Sequence, residues 1–266
     1  MSKKTPDLRQ RLIAFLKRHR KLQTEFLSEI VKTPSDNPPG DCRPHALRAR
    51  RLLEAMDFKV KALPVPADIV HSAGMRSATN LIVRESFGAA REGPTIALNA
   101  HGDVVPPGLG WSVDPYGALI RKGHLYGRGA AVSKSDFATY AFALLALKAT
   151  VNRADDGMRG NVELHLTYDE EAGGEIGPKW ILDNGHSRPD YVICAGFTHG
   201  ITVAHNGCLH LEVEVTGKSG HAARPETGVD ALEAANGILA GLYALRKTLR
   251  RQRSRTPGID SPTLVV

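Results

Sequence analysis

Residues 95–103, Thr-Ile-Ala-Leu-Asn-Ala-His-Gly-Asp, form a short apolar run that ends on an imidazole and a carboxylate. A run of this kind predicts a buried β-strand. Residues 162–171 repeat the arrangement, because an alternating strand is followed there by three acidic residues. The apolar stretch at 135–150, between the two strands, has the length of a helix. A strand, a helix and a second strand predict a parallel sheet covered by helices.

The flanking sequence fits the same α/β pattern. Helices are predicted at 8–32, 45–56 and 177–184, and strands at 59–63, 80–83 and 191–194. Together these elements predict a three-layer α/β domain with a mostly parallel sheet, over residues 1–207. Chemistry in such sheets lies beyond the carboxyl ends of the strands, which is where both polar motifs fall.

The pattern changes near residue 208. Residues 209–215 alternate as an amphipathic strand, a loop follows at 217–225, and a helix is predicted at about 229–249. Residues 208–266 are therefore interpreted as the start of a smaller α+β domain, which ends on the apolar, strand-like run 264–266.

Composition is that of a soluble globular protein, with 42% hydrophobic and 24% charged residues among 266. The three cysteines, Cys42, Cys194 and Cys208, follow no metal-binding spacing and are interpreted as reduced thiols. No stretch reaches the roughly 18 apolar residues of a membrane span. Because the first residues also lack a secretory signal, a cytoplasmic location is predicted.

The net charge of +7 raises the question of a nucleic-acid partner. Much of the excess lies in two helical stretches, 9–21 and 246–255, and neither shows interleaved aromatic residues or a nucleic-acid motif. Solvated helix faces are the favoured interpretation, and neither nucleic acid nor membrane is predicted as a partner.

Two motifs carry candidate metal chemistry. His101 can bind a metal through one ring nitrogen while Asp103 fixes the other, although a structural turn is the alternative. The acidic run 169–171 can supply one metal ligand and one general base, which metal-assisted hydrolysis requires. A solvated acidic turn is the alternative there.

Two glycine-rich motifs are less specific. Residues 127–131, Gly-Arg-Gly-Ala-Ala, allow a tight turn but lack the ending of a phosphate-binding P-loop. Residues 217–221, Gly-Lys-Ser-Gly-His, present one histidine on a loop, and a lone histidine is usually structural.

In combination these motifs resemble one family of zinc-dependent metallohydrolases, which includes aminoacylases, acetylornithine deacetylase, succinyl-diaminopimelate desuccinylase and carboxypeptidases. The resemblance covers nearly the whole chain, except that the family's C-terminal part is absent. The matching stretches, in order, are 37–40, 101–103, 111–116, 123–131, 169–174 and 217–231.

The resemblance implies hydrolysis of amide bonds in N-acyl amino acids or small peptides, by a homodimer that uses one or two zinc ions. His101 and Glu171 would bind zinc, Asp103 would orient His101, and Glu170 would be the general base. His221, on a lid or dimerisation domain, would stabilise the oxyanion.

The family's ligand pattern is incomplete in this chain. Val132 stands where the resemblance implies a bridging aspartate, Gly196 stands at a second ligand position, and the last histidine ligand lies beyond residue 266. Three explanations remain open. The site is rebuilt with Asp136, His199 or His205, the protein is a non-catalytic binding relative on the same fold, or the chain is a fragment.

Overall fold

The computed structural model describes residues 7–89, 92–151, 156–194, 196 and 200–266. Contacts within the chain divide it into two compact units, Met1–Phe197 and Thr198–Val266, called unit 1 and unit 2 below. The sequence pattern instead places a domain boundary near residue 208, and that boundary stays a prediction.

Unit 1 is built on a five-stranded sheet with the strand order β1-β2-β6-β3-β7. Its strands are β1 (Val60–Pro64), β2 (Thr79–Phe87), β3 (Thr95–His101), β6 (Gly160–Thr167) and β7 (Tyr191–Cys194), while β4 (Leu119–Arg121) and β5 (His124–Tyr126) form a separate hairpin. Strand β2 is antiparallel to both of its neighbours, whereas β6, β3 and β7 are mutually parallel. Four of the five strands therefore run in one direction, which confirms the predicted mostly parallel α/β sheet.

The helices of unit 1 are α1 (Leu8–Arg18), α2 (Arg20–Val31), α3 (Arg43–Ala55), α4 (Ala67–Ser72), α5 (Lys134–Thr150) and α6 (Pro178–Asp183). The single helix predicted at 8–32 is in fact two, with a break at His19. Both the backbone N–H of His19 and its ring Nδ1 lie within hydrogen-bonding distance of the Phe15 carbonyl, at 3.0 and 2.8 Å. This local capping ends α1 before α2 begins.

Both faces of the sheet are covered. Strand β2 shows this directly, because Leu81 and Val83 pack into the main core while Ile82, between them, packs with Ile181 of α6 on the other face. The main core joins the strands to α2 and α5, and Phe137 of α5 lies at its centre, fully buried. The alternation of side chains along a strand thus produces the predicted three layers.

Unit 2 contains one long helix, α7 (Ala231–Leu249), which begins at Asp230. The Asp230 carboxylate accepts hydrogen bonds from the backbone N–H groups of Leu232 and Glu233, at 2.8 and 3.2 Å, as an N-cap does.

The strand predicted at 209–215 was wrong. Within the described residues 200–266 only isolated bridges form, such as Lys218 with Val229, and no strand is assigned. An alternating segment becomes a strand only when a neighbour takes its backbone hydrogen bonds. No such neighbour pairs with 209–215 in the described part of unit 2, and the same holds for the run 264–266.

All three cysteines are free thiols, and Cys42 is buried. Among the described residues, no helix combines the length and apolar character required to cross a bilayer.

Candidate metal centre

The parallel pairing of β3 and β6 brings the two polar motifs to one edge of the sheet. His101, the last residue of β3, is directly opposite Thr167, the last residue of β6. The residues that follow each strand, Asp103 and Glu170, consequently emerge side by side. Both motifs lie at strand ends, as predicted.

Asp103 holds His101 in one orientation. The ring Nδ1 of His101 lies 3.0 Å from the backbone carbonyl of Asp103 and 3.3 Å from its Oδ1. In the neutral ring Nδ1 therefore carries the proton, and Nε2 is left with a free lone pair. That nitrogen points towards Glu170, whose Oε2 is 3.8 Å away.

The same aspartate also fixes the acidic motif. Oδ1 of Asp103 accepts from the backbone N–H of Glu170 at 3.3 Å, and Oδ2 accepts from that of Glu171 at 3.2 Å. Oδ2 also accepts from Nδ2 of Asn37 at 3.1 Å. One fully buried carboxylate thus positions the histidine and both glutamates.

The three acidic residues of 169–171 divide into two kinds. Asp169 is buried, and its Oδ2 accepts from the backbone N–H of Ile176 at 2.6 Å. Burial raises the pKa of Asp169 to about 6. Glu170 and Glu171 are exposed and share the space beside His101. Asp169 therefore shapes the turn, and the two glutamates remain available for chemistry.

His101, Glu170 and Glu171 can together hold a metal ion, because one donor atom from each lies within 4.8 Å of the other two. One imidazole nitrogen and two carboxylate oxygens are a donor set that zinc accepts. Among the described residues this is the only group of three or more such side chains. The donors of this group therefore fit one divalent ion.

Burial and charge act against each other at this site. Burial disfavours the charge on His101, but the hydrogen bond with Asp103 and the carboxylates around it outweigh burial and raise its pKa. Burial likewise opposes charge on Asp103, yet the hydrogen bonds from His101 and Asn37 lower its pKa. For Glu171, burial and the neighbouring Glu170 both raise the pKa.

The turn that should carry the bridging ligand lies beside His101. The Ser133 hydroxyl accepts from the backbone N–H of His101 at 3.3 Å, and Val132, the residue before Ser133, has no donor atom in its side chain. Asp136, in the first turn of α5, lies outside the 4.8 Å group. Gly196 offers no side chain, and His199 lies outside the described residues.

The glycine-rich turn at 127–131 is held by Arg128, which supports its structural interpretation. Nη2 of Arg128 donates to the carbonyls of Pro106 and Pro107, at 3.3 and 3.0 Å, and its guanidinium lies 5.6 Å from the Trp111 ring centre. Arg128 thereby ties this turn to the loop that follows Asp103.

Two further positions depend on close packing and were missed from the sequence. A Cβ on Gly102 would lie 2.5 Å from the Tyr168 ring, so the histidine-aspartate turn requires glycine there. Lys134 is fully buried, donates from Nζ to the Thr33 carbonyl at 3.1 Å, and has its pKa lowered to about 8 by burial. An isolated lysine after a turn gives no sign of burial in a sequence.

His221 belongs to unit 2, where it is exposed. Its Nδ1 accepts from the backbone N–H of Ala223 at 3.1 Å. The proton of the neutral ring is therefore on Nε2, which is free to donate. His205 is also in unit 2 and exposed.

The fold and the histidine-glutamate cluster define a class: an α/β protein with a candidate metal centre at the carboxyl edge of its sheet. Residues 97–237 match the family described as Peptidase family M20/M25/M40, and the chain belongs to that family. This confirms the resemblance drawn from the motifs.

Individual relatives support the same assignment. Succinyl-diaminopimelate desuccinylase of Nitratiruptor sp. is 35% identical over 58% of this chain and 42% of its own length. The desuccinylase of Acidiphilium cryptum is 30% identical over 83% of this chain and 55% of its own. The chain thus spans about half the length of the curated relatives it matches.

Among solved structures, human carnosine dipeptidase 1 superposes with a TM-score of 0.53 and 20% identity, over 71% of this chain and 41% of that one. At this level of identity the likeness shows the fold.

Proposed function

We propose that the chain carries the metal-dependent hydrolysis of an amide bond in N-acyl amino acids or small peptides. One observation carries the proposal. Asp103 contacts the ring of His101 and accepts hydrogen bonds from the backbone N–H groups of Glu170 and Glu171. A buried carboxylate that fixes one histidine and two neighbouring glutamates provides a preorganised donor set together with a base.

Each residue of the cluster has a separate role in the proposed reaction. His101 Nε2 and Glu171 would hold a divalent ion, for which zinc is the proposed metal, and such an ion would lower the pKa of a water molecule. Glu170 removes a proton from the attacking water and delivers it to the leaving amine nitrogen, so that amide and water give a carboxylate and an amine. Its side chain is 62% exposed and faces His101, so both substrate and water can reach it.

His221 is the proposed donor to the oxygen that becomes negative when the amide carbonyl is attacked. The free Nε2–H of its neutral ring supports that role. We further propose a homodimeric assembly and a cytoplasmic location, as the family resemblance and the sequence suggest.

The names of the relatives suggest the substrates to try first. A panel of N-succinyl amino acids, N-acetyl amino acids and dipeptides covers both the desuccinylases and the dipeptidase. Amine release from each compound is measured with purified protein, before and after a chelator removes divalent ions. We expect release from at least one class, its loss with the chelator and its return on addition of zinc.

The missing donor at Val132 favours a second candidate, a non-catalytic relative that binds a small carboxylate ligand on the same fold. This alternative predicts saturable binding of the panel compounds with no amine release, in the presence or absence of metal. Saturable binding without amine release, together with a Glu170→Ala variant that behaves as wild type does in both assays, would rule out hydrolysis.

A further inference from the structure

The beginning of α5 lies against the candidate metal centre. The Ser133 hydroxyl accepts from the backbone N–H of His101 at 3.3 Å, and α5 begins at the next residue. Val132, just before Ser133, has a side chain that ends in methyl groups and offers no metal ligand. The family resemblance implies a carboxylate at this position.

Asp136 is the nearest carboxylate on the same element. It lies in the first turn of α5, and its carboxylate interacts with the side chain of Ser133, the residue that also contacts His101. Asp136 and His101 also interact electrostatically. A short path of contacts therefore connects the Asp136 carboxylate to the metal-binding histidine.

One oxygen of that carboxylate has no hydrogen-bond partner among the described residues. Asp136 Oδ2 is buried and has no hydrogen-bond partner. A buried acceptor without a partner destabilises the folded protein, and does so more when it is charged. Such an atom in a native protein calls for an explanation, and a bound ion is one.

We propose that Asp136 replaces the carboxylate that Val132 lacks, and that one divalent ion is bound by His101, Glu171 and Asp136. The inference rests on the proposed function, since it leaves Glu170 free as the base. Three protein ligands and one open position match catalytic zinc sites. Because Asp136 lies outside the 4.8 Å group, its side chain would have to change rotamer to bind the same ion.

Metal binding itself tests the proposal, independently of turnover. The probe is Co²⁺, titrated into the metal-free full chain, with the visible absorption of the bound ion and the bound metal per chain as readouts. Wild type should bind one ion per chain. Asp136→Asn should weaken binding at least 10-fold and change the absorption spectrum. Asp68→Asn, the same change in the first turn of α4, should bind as wild type does.

A rescue variant separates a ligand role from a structural one. Adding Val132→Asp to the Asp136→Asn variant should restore the affinity for Co²⁺. The new aspartate supplies a carboxylate at the position where the resemblance implies one. Unchanged Co²⁺ affinity and spectrum in Asp136→Asn would overturn the proposal, as would a wild-type chain that binds no ion. If Asp136→Asn leaves Co²⁺ binding unchanged, amine release that depends on Glu170 and on metal would still support the proposed function, so the two can fail separately.

Discussion

At the scale of single residues, Asp103 organises the site. It is fully buried, and its two oxygens and its carbonyl contact His101, Asn37 and the backbone N–H groups of Glu170 and Glu171. Hydrogen bonds to a charged acceptor are stronger than hydrogen bonds to a neutral one. The carboxylate therefore fixes the positions of side chains that would touch metal and substrate.

Replacement of Asp103 by asparagine tests this role. Asp103→Asn keeps the shape but loses the charge and gives the His101 proton a poorer acceptor. We expect metal affinity to fall by about 10-fold to 100-fold, the usual effect of removing a residue that holds a metal ligand. Co²⁺ titration measures the change, and Asp68→Asn serves as the matched control. Affinity equal to that of wild type would contradict the role.

The sequence predicted part of this arrangement. The spacing of His101 and Asp103 is local, so their contact was foreseeable from the motif. The bonds from Asp103 to Glu170 and Glu171 depend on the register of two strands that are far apart in the chain. Asn37 was part of a motif, but the side chain that it contacts depends on the fold. Tertiary contacts of this kind leave no periodic signal.

At the scale of elements, strand β6 has a polar side with its own network. Glu163 is fully buried, and its carboxylate accepts from Arg84, from His165 and from the Ser187 hydroxyl. Burial raises the pKa of Glu163, but these hydrogen bonds outweigh it and lower the pKa to about 2. The network joins β2 and β6 to Ser187, which follows α6, on the face opposite the main core.

The lowered pKa predicts a dependence of stability on pH. Glu163 stabilises the folded state fully above its usual pKa of 4.5, and this contribution is lost as the pH falls towards about 2. Glu163→Gln should therefore lose about 3 kcal/mol of unfolding free energy near neutral pH, as when a buried ion pair loses one partner. The difference from wild type should shrink as the pH falls through this window.

Urea unfolding at several pH values between 2 and 7 provides the measurement. Glu92→Gln is the control, because Glu92 and its partner Arg159 are both exposed, at 62% and 61%. That variant should differ from wild type by less than about 1 kcal/mol. A Glu163→Gln deficit that stays constant with pH would contradict the assigned pKa.

Elements were predicted well where a long apolar stretch decided the outcome and poorly where strand pairing did. The apolar stretch at 135–150 became α5 (Lys134–Thr150) almost residue for residue. Residues 209–215 have a clear period of two, yet they form no strand, because a strand depends on a neighbour that the segment itself does not specify. The break at His19 arose from a side-chain cap that interrupts a continuous helical pattern.

At the scale of the whole molecule, unit 2 exposes several large apolar side chains. Leu209 is 79% exposed and Leu211 76% exposed, and both line a groove of about 1150 Å³ beside α7. Large exposed apolar patches on soluble proteins usually mark surfaces of association. This supports the proposal that the chain forms a homodimer.

A charge placed in the groove tests the assembly. Leu211→Asp should shift the chain from dimer to monomer in sedimentation velocity, because burial of the new carboxylate would be costly. Its effect on unfolding should be small, since the side chain is already exposed. Thr216→Asp adds the same charge at an exposed polar position and should leave the dimer intact. The same proportions of dimer and monomer in wild type and in Leu211→Asp would contradict the prediction.

The central claim is that Glu170 serves as the general base of a metal-dependent amide hydrolase. The most direct test is the rate of amine release, with zinc present, from the best substrate of the panel for wild type, Glu170→Gln and Glu175→Gln. Glu175 is a neighbouring exposed glutamate paired with Lys179, and its variant should keep the wild-type rate. Loss of the base should lower kcat by about 100-fold to 10,000-fold in Glu170→Gln. Equal kcat values for Glu170→Gln and wild type would contradict the account.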